Sequence, residues 1–523
     1  MRKVKLTEIE LTRNQQTVIN IVSGVVAVII SMSINFFLSP YIVRTLGATA
    51  NGFVGLANNF ISYTSLITVA LNSMANRFIS IEYHRGNIKR ANQYYSSLFF
   101  GDLIIVIVLS ICAIVFLFNL EYLLCINSDL VLSVKILFAI LFLNTLISTL
   151  FTIWNCSTYV VNRLYLNSIR TIQSNILRAL VIVGLFCILQ PKVYYIGIAT
   201  LAASTVTNIY NCYYKKVLLP SIKFRKEDIR WDAIKTLIGS GVWNSFSNAS
   251  TILLTGLDLL ITNIFIDSGT MGILSVAKTL PGLISEFSST ITSVFSPSIV
   301  IDYAKGDKKK ICDNLMQSSK ITSVICIIPL GFLICFGDWF YGLWQPTLDA
   351  KTLQTLSILT CMMLAVTAGL QSFYNVFMVT NRVKENSIVI FISALISTVI
   401  TALLVKYTSL GVYAVAGVSS VVIIIRNLVY TVPFSAKYLG LPWNSFFGVV
   451  GKSLLSTVLS CILGFIVRSC FYVSTWGVLI FVAVIYAVLA LLVNFLVVLN
   501  KNERANVAVK IRSILRKNKN YSK

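Results

Sequence analysis

Fourteen stretches of about twenty apolar residues, separated by short polar segments, run the length of the chain. They fall near residues 15–38, 51–76, 97–118, 131–155, 165–189, 193–214 and 236–263, then near 271–298, 320–343, 353–379, 386–405, 411–432, 446–468 and 475–499. Each is long enough to cross a hydrocarbon core as a helix and far too long for a barrel strand. Backbone amides in lipid must be satisfied within their own segment, so the pattern predicts an all-α polytopic membrane protein of about fourteen transmembrane helices.

Four of these spans carry polar residues at intervals of three and four, which puts them on one helical face. The first has Asn20, Ser23, Ser31 and Asn35; the second has Asn51, Asn58, Ser62, Ser65, Asn72 and Asn76. The seventh has Asn244, Ser247, Thr251, Thr255, Asp258 and Thr262, with Asn248 beside them; the eighth has Lys278, Ser285, Glu286, Ser289, Ser293 and Ser296. Small polar residues let helices pack closely. Four stripes that include ionised groups exceed that need and predict a wet central cavity.

An ionised group inside a span costs several kcal/mol unless it is paired or hydrated. Lys278 and Glu286 lie eight positions apart, two turns on one face, and Asp258 sits on the preceding span. One reading is an internal ion pair that locks the two spans together. The other makes Lys278 an anion contact and Asp258 or Glu286 a proton or sodium site. Arg178 and Arg426 extend a basic lining, Arg44 is a gate or an interfacial anchor, and Asn58, Asn244 and Asn248 are the amides of the predicted cavity.

The spans repeat. Ile81-Glu82-Tyr83-His84-Arg85-Gly86-Asn87 returns 220 positions later as Ile301-Asp302-Tyr303-Ala304-Lys305-Gly306-Asp307, and the same offset maps Gly52 onto Gly272 and Ser73 onto Ser293. Two copies of a six-span module follow, entering from the same side and related by a pseudo-two-fold along the membrane normal. The predicted division is an N-lobe over 1–214, a basic linker over 215–235, a C-lobe over 236–440, two added spans over 441–500 and a basic tail over 501–523.

Composition agrees with a bilayer: 56% of the 523 residues are hydrophobic, 12% are charged and the mean hydropathy is +0.82. With the N-terminus placed inside, thirty-three of the 43 Lys and Arg fall on the cytoplasmic side, six on the other and four within spans. That bias predicts cytoplasmic termini, and it reads the net charge of +24 as topology rather than as nucleic-acid binding. Eleven cysteines show no CxxC spacing, and His84 is the single histidine, so no cofactor or metal is expected. No phosphate-cradling glycine pattern or acid–base constellation points to an enzyme.

The stretch Ser39-Pro40-Tyr41-Ile42-Val43-Arg44-Thr45-Leu46-Gly47, followed by Gly52, resembles the opening of polysaccharide-transporter (O-antigen) flippases of the multidrug/oligosaccharidyl-lipid/polysaccharide exporter superfamily. Glu82-Tyr83 and Gly86-Asn87-Ile88, with their copy in the second half, are similar to that family too. The resemblance implies a MATE-like fold. It also implies flipping of an undecaprenyl-diphosphate-linked oligosaccharide for O-antigen or capsule, by alternating access around a fixed cavity. Expected partners are the lipid-linked oligosaccharide, membrane lipids, a proton or sodium ion, and polysaccharide polymerase machinery. Its rivals are a cation-coupled multidrug exporter of the same superfamily and a membrane polymerase or ligase for the same glycans.

Overall fold

The computed structural model describes residues 13–499 and Arg504; the rest of the predicted tail lies outside the described residues. All fourteen apolar stretches are helical, and no strand occurs among the described residues. The first six spans are α1 (Arg13–Leu46), α2 (Ala48–His84), α3 (Ile88–Phe118), α4 (Val131–Phe151), α5 (Tyr165–Ile188) and α6 (Tyr194–Leu218). The seventh is broken into α7 (Trp231–Thr255) and α8 (Asp258–Phe265), and the eighth into α9 (Ser268–Ala277) and α10 (Thr279–Ala304). There follow α11 (Lys308–Trp344), α12 (Ala350–Cys361), α13 (Tyr374–Val379), α14 (Val383–Tyr407), α15 (Val412–Arg426), α16 (Val432–Tyr438), α17 (Phe447–Cys470) and α18 (Trp476–Val498).

Among the described residues, eleven spans are long and apolar enough to cross a membrane, or twelve if α7 and α8, bent by 43°, count as one. The two that fall short have physical reasons. Hydroxyls and amides run through the centre of α6, and the eighth span is cut at Lys278 and striped with serine. On α18 the large apolar side chains Ile480, Phe481, Val484, Val488 and Leu492 stand exposed, an arrangement stable in lipid rather than in water.

Several helices outrun their apolar stretches. α3 begins at Ile88 rather than near residue 97, and α11 at Lys308 rather than near 320. Both extensions start from one turn, built twice. Gly86 and Gly306 adopt φ of +78° and +71°, where an L side chain is strained. Gly86 N–H donates to the Tyr83 carbonyl and Asn87 N–H to Glu82; Gly306 N–H donates to Tyr303 and Asp307 N–H to Asp302. Asn87 then caps α3 by accepting from Arg90 N–H at 3.2 Å, and Asp307 caps α11 by accepting from Lys310 N–H at 3.1 Å.

A second turn repeats at nearly the same offset. Asn162 and Asn381 both have φ of +56°, and the next residue, Arg163 or Arg382, donates its N–H back to Thr158 or Phe377. Among the described residues these are the two non-glycine positions with positive φ.

The chain divides into two compact units, one running to Val276 with Ile390–Leu395, the other taking Ala277–Val389 and resuming at Ile396. At the centre of the first unit is α2. Its C-terminal half buries Leu71, Ala75 and Ile79 with Tyr94, Tyr95 and Leu98 of α3 and Ala233, Ile234 and Leu237 of α7. Gly52 lies against its repeat mate Gly272, where an added Cβ would come within 2.8 Å of backbone. In the second unit α11 packs with α17 and α18 around Phe336, Val467, Val482 and Tyr486.

The segment before α7, read from the sequence as a basic linker, is fastened along α3. Asn92 accepts from Lys223 N–H, Ser96 from Arg225 N–H and Ser97 from Arg230 N–H, while Arg90 pairs with Asp232 at 2.9 Å. Lys215 donates to the Ile222 carbonyl at 2.7 Å. The polar residues that lengthen α3 beyond its apolar stretch are the ones that hold this strap.

Candidate translocation surface

Part of each polar stripe on α2, α7 and α10 is exposed. On α2, Asn58, Ser62, Ser73 and Arg77 are exposed; on α7, Asn248 and Thr251; on α10, Gly282, Glu286, Ser289 and Ser293. Spacings of 282, 286, 289 and 293 confine the last set to one face of the helix. The side chain of Asn244 lies outside what the structure describes. Along these faces the hydroxyls are occupied by carbonyls one turn back, as Ser62 to Asn58 and Ser289 to Glu286. Their lone pairs stay available to a polyol.

The stripe of α1 behaves differently: α5 meets it in a ladder of side-chain contacts. Gln16 and Asn20 donate to the Asn162 carbonyl, Asn20 accepts from Tyr165 N–H, and Ser23 reaches Ser168 at 3.3 Å. Further out, Asn175 donates to Ser31 at 2.8 Å and Arg178 to Asn35. The rising order of both partners makes α1 and α5 parallel, as alternate crossings require. Arg178 is therefore held at a fixed depth, with its Nε left without a partner among the described residues.

At the foot of α8 the chain is broken and then repaired from α2. The Gly256 carbonyl, freed by the bend, accepts from Asn59 Nδ2 at 3.0 Å and from Tyr63 Oη at 2.7 Å. Asp258 is buried in the first turn of α8, where the helix dipole favours a carboxylate. Ser245 donates to the Leu66 carbonyl, so α2 and α7 run antiparallel in register with the Gly256 contact.

In the second unit Lys278 is half-buried at the break between α9 and α10, and Glu286 is exposed two turns later. Arg426 donates to Tyr374 Oη at 2.9 Å and stacks over the same ring at 5.7 Å, and Tyr374 in turn donates to Asn427. Arg44 is exposed in the last turn of α1.

Two charged residues escaped the sequence reading. Arg170, counted with the cytoplasmic loops, is buried in α5, bonded to the Leu166 carbonyl and Asn155 and stacked over Tyr214. Asp102 is buried at the middle of α3. Among the described residues no three His, Cys, Asp or Glu side chains gather as a metal site.

Known proteins share this architecture. The structure of a lipid II flippase in an inward closed conformation superposes with a TM-score of 0.69 over 91% of this chain and 98% of its own, at 14% identity. An inward-facing multidrug-resistance MATE transporter of the MOP superfamily gives 0.62 over 81% and 94%, at 15% identity. In sequence the chain is 25% identical over 499 residues to the uncharacterized membrane protein EpsK of Bacillus subtilis strain 168, covering 94% of this chain and 98% of that protein. The family model of polysaccharide biosynthesis proteins matches residues 18–301, which takes in most of α1, all of α2 to α9, Gly52 with its copy Gly272, and the Gly86 turn, and ends just before the Gly306 turn. This span is more than half of the chain, and with the membrane-transporter fold around it the protein belongs to the polysaccharide biosynthesis protein family.

Proposed function

We propose that the protein flips an undecaprenyl-diphosphate-linked oligosaccharide from the inner to the outer leaflet of a bacterial plasma membrane for synthesis of a surface polysaccharide. The observation that carries the reading is the set of exposed amides and hydroxyls on α2, α7 and α10 in a chain otherwise this apolar. Hydroxyl-rich sugars need many weak, reversible hydrogen bonds rather than one deep pocket, and such stripes supply them. The diphosphate is the anionic part of the substrate; Lys278 would meet it, and Arg178, in the other unit, is a separate candidate anion contact. The polyprenyl tail stays in lipid, where it costs nothing to desolvate.

Alternation between inward-open and outward-open states around these faces moves the head group without a covalent step. The basic bias of the cytoplasmic loops supports cytoplasmic termini, which places substrate loading on the side where lipid-linked sugars are assembled. In cells, Lys278→Ala should abolish surface glycan and leave protein abundance at the wild-type level. Lys216→Ala, exposed in the last turn of α6, should be silent in the same blot. Equal glycan in both strains would sink the assignment of Lys278.

A further inference from the structure

The acid in the middle of α3 has no part in the surface described above. Asp102 is fully buried. Its Oδ1 accepts from Asn72 Nδ2 of α2 at 2.8 Å, and its Oδ2 has no partner among the described residues. Asn72 is in the matching position. Its Nδ2 donates to Asp102 and to the Thr68 carbonyl at 3.1 Å, while its Oδ1 is buried with no partner. Because the Thr68 carbonyl only accepts, it fixes which end of the amide is nitrogen. The contact therefore leaves two orphaned acceptors and no donor for either. In a buried site each orphan is destabilising, and an ionised one more so.

One hydrogen cures both deficits. We propose that Asp102 and Asn72 form a proton-binding site: a proton taken from water forms an O–H bond at Asp102 Oδ2, that O–H donates to Asn72 Oδ1, and the acid–amide ring closes. Release of the proton breaks the O–H bond and returns the carboxylate.

The surroundings keep this proton from being an accident of a wet crevice. Gly101 lets Leu71 press against α3; an added Cβ there would sit 2.6 Å from Leu71 Cδ2. Among the described residues no ion pair to Asp102 is seen, and Asn72 is the side chain that bonds it. On α2, Tyr63 is bonded to Gly256, Arg77 is exposed, and Glu82 and His84 are at the far turn. On α3, Tyr94 and Tyr95 sit two turns back, under Arg90 and Lys215. On α4, Lys135 is paired with Glu121; on α7, Asp232 is paired with Arg90 and Lys235 is exposed; Lys226, Glu227 and Asp228 form the short turn before α7, and Cys156 follows α4.

The repeat supplies an internal control. At the same 220-residue offset Asn72 maps onto Thr292 and Asp102 onto Thr322. Both threonines are buried, and each donates to a carbonyl one turn back in its own helix, Ser288 and Ser318. The module thus packs this helix pair with neutral, self-satisfied side chains, so the acid and amide in the first copy are not a requirement of the fold.

Resting on the transport reading, the site has a role. α2 carries Asn58, Ser62 and Ser73 on its open face and meets α3 through this pair. With the proton bound the α2–α3 contact is neutral and closed; without it a bare carboxylate faces an amide oxygen, and the contact must admit water. Proton occupancy thus biases the helix that bears the substrate face.

Infrared difference spectroscopy on the full-length protein in liposomes, titrated with pH, tests the site directly. The wild type should show the C=O stretch of a protonated acid. Asp102→Asn, which keeps the acceptor for Asn72, should lack it, and Asn72→Ala should retain it at a shifted frequency. A spectrum unchanged by Asp102→Asn overturns the inference. In parallel, transfer of a fluorescent undecaprenyl-diphosphate trisaccharide should be stimulated by an imposed pH gradient in the wild type and be indifferent to it in Asp102→Asn. Equal stimulation of both overturns the coupling role. Absence of transfer in the wild type, with the band present, would contradict the flippase reading and leave the proton site standing.

Discussion

The helix pair α2–α3 and its copy α10–α11 differ where it matters and agree where it does not. Their turns are the same to the hydrogen bond: a glycine at positive φ, a back-bonded tyrosine carbonyl and a side-chain cap on the third following N–H. Their interiors have diverged. α2 is continuous through Asn58, whereas its counterpart is cut at Lys278, and Asp102 with Asn72 stands opposite Thr322 with Thr292. The turns serve the fold, which both copies need; the buried and exposed polar positions are where one copy acquired something the other lacks.

The comparison can be broken first at its most expensive point. Thr322→Asp puts a carboxylate in a buried site with no amide waiting, and should cost about 3–5 kcal/mol, read as a large drop in melting temperature of the detergent-solubilised protein. Adding Thr292→Asn should return about 2 kcal/mol of that loss by supplying the missing hydrogen bond. If Thr322→Asp is tolerated alone, burial at this depth does not demand a partner and the contrast with Asp102 loses its force.

A smaller effect sharpens the equivalence of the turns. Gly86→Ala and Gly306→Ala should each cost about 1 kcal/mol, because both force an L residue into left-handed backbone. Comparable shifts in melting temperature are expected, and a response from one position only would mean that the two turns are not the same device.

The caps differ in charge and so in their response to pH. The Lys310 backbone N–H, with the Lys310 side chain beside it, holds the Asp307 carboxyl below the usual aspartate range. A depressed value stabilises the fold above the ordinary aspartate pKa, and that contribution fades as pH falls through the folded-state value. Asp307→Ala should therefore match the wild type in acid and fall behind it at neutral pH. Asn87→Ala should cost about 1 kcal/mol at every pH, since an amide does not titrate.

Much of this was legible before any coordinates. Apolar run length identifies the helices, the repeat identifies the turn, and the periodic stripes on α2, α7 and α10 include the exposed Asn58, Ser62, Asn248, Thr251, Glu286, Ser289 and Ser293. What stayed hidden was pairing. Spacing along one helix shows that Asn35 and Ser31 share a face but not that Arg178 and Asn175 of α5 cover it. The bend at Gly256 depends on Asn59 and Tyr63, some two hundred residues earlier. Asp102 did leave a signal. Asn72 and Asp102 lie fifteen residues before and after Asn87, and equal distances from a tight helical turn put two residues at one depth.

The claim at the centre is that these open polar faces carry a lipid-linked glycan. Purified protein in liposomes, loaded on one leaflet with a fluorescent undecaprenyl-diphosphate oligosaccharide, gives the most direct test. Protein-dependent appearance of the label on the opposite leaflet, lost with Lys278→Ala, is the predicted result; no lipid transfer, together with gradient-driven efflux of cationic dyes, would contradict it.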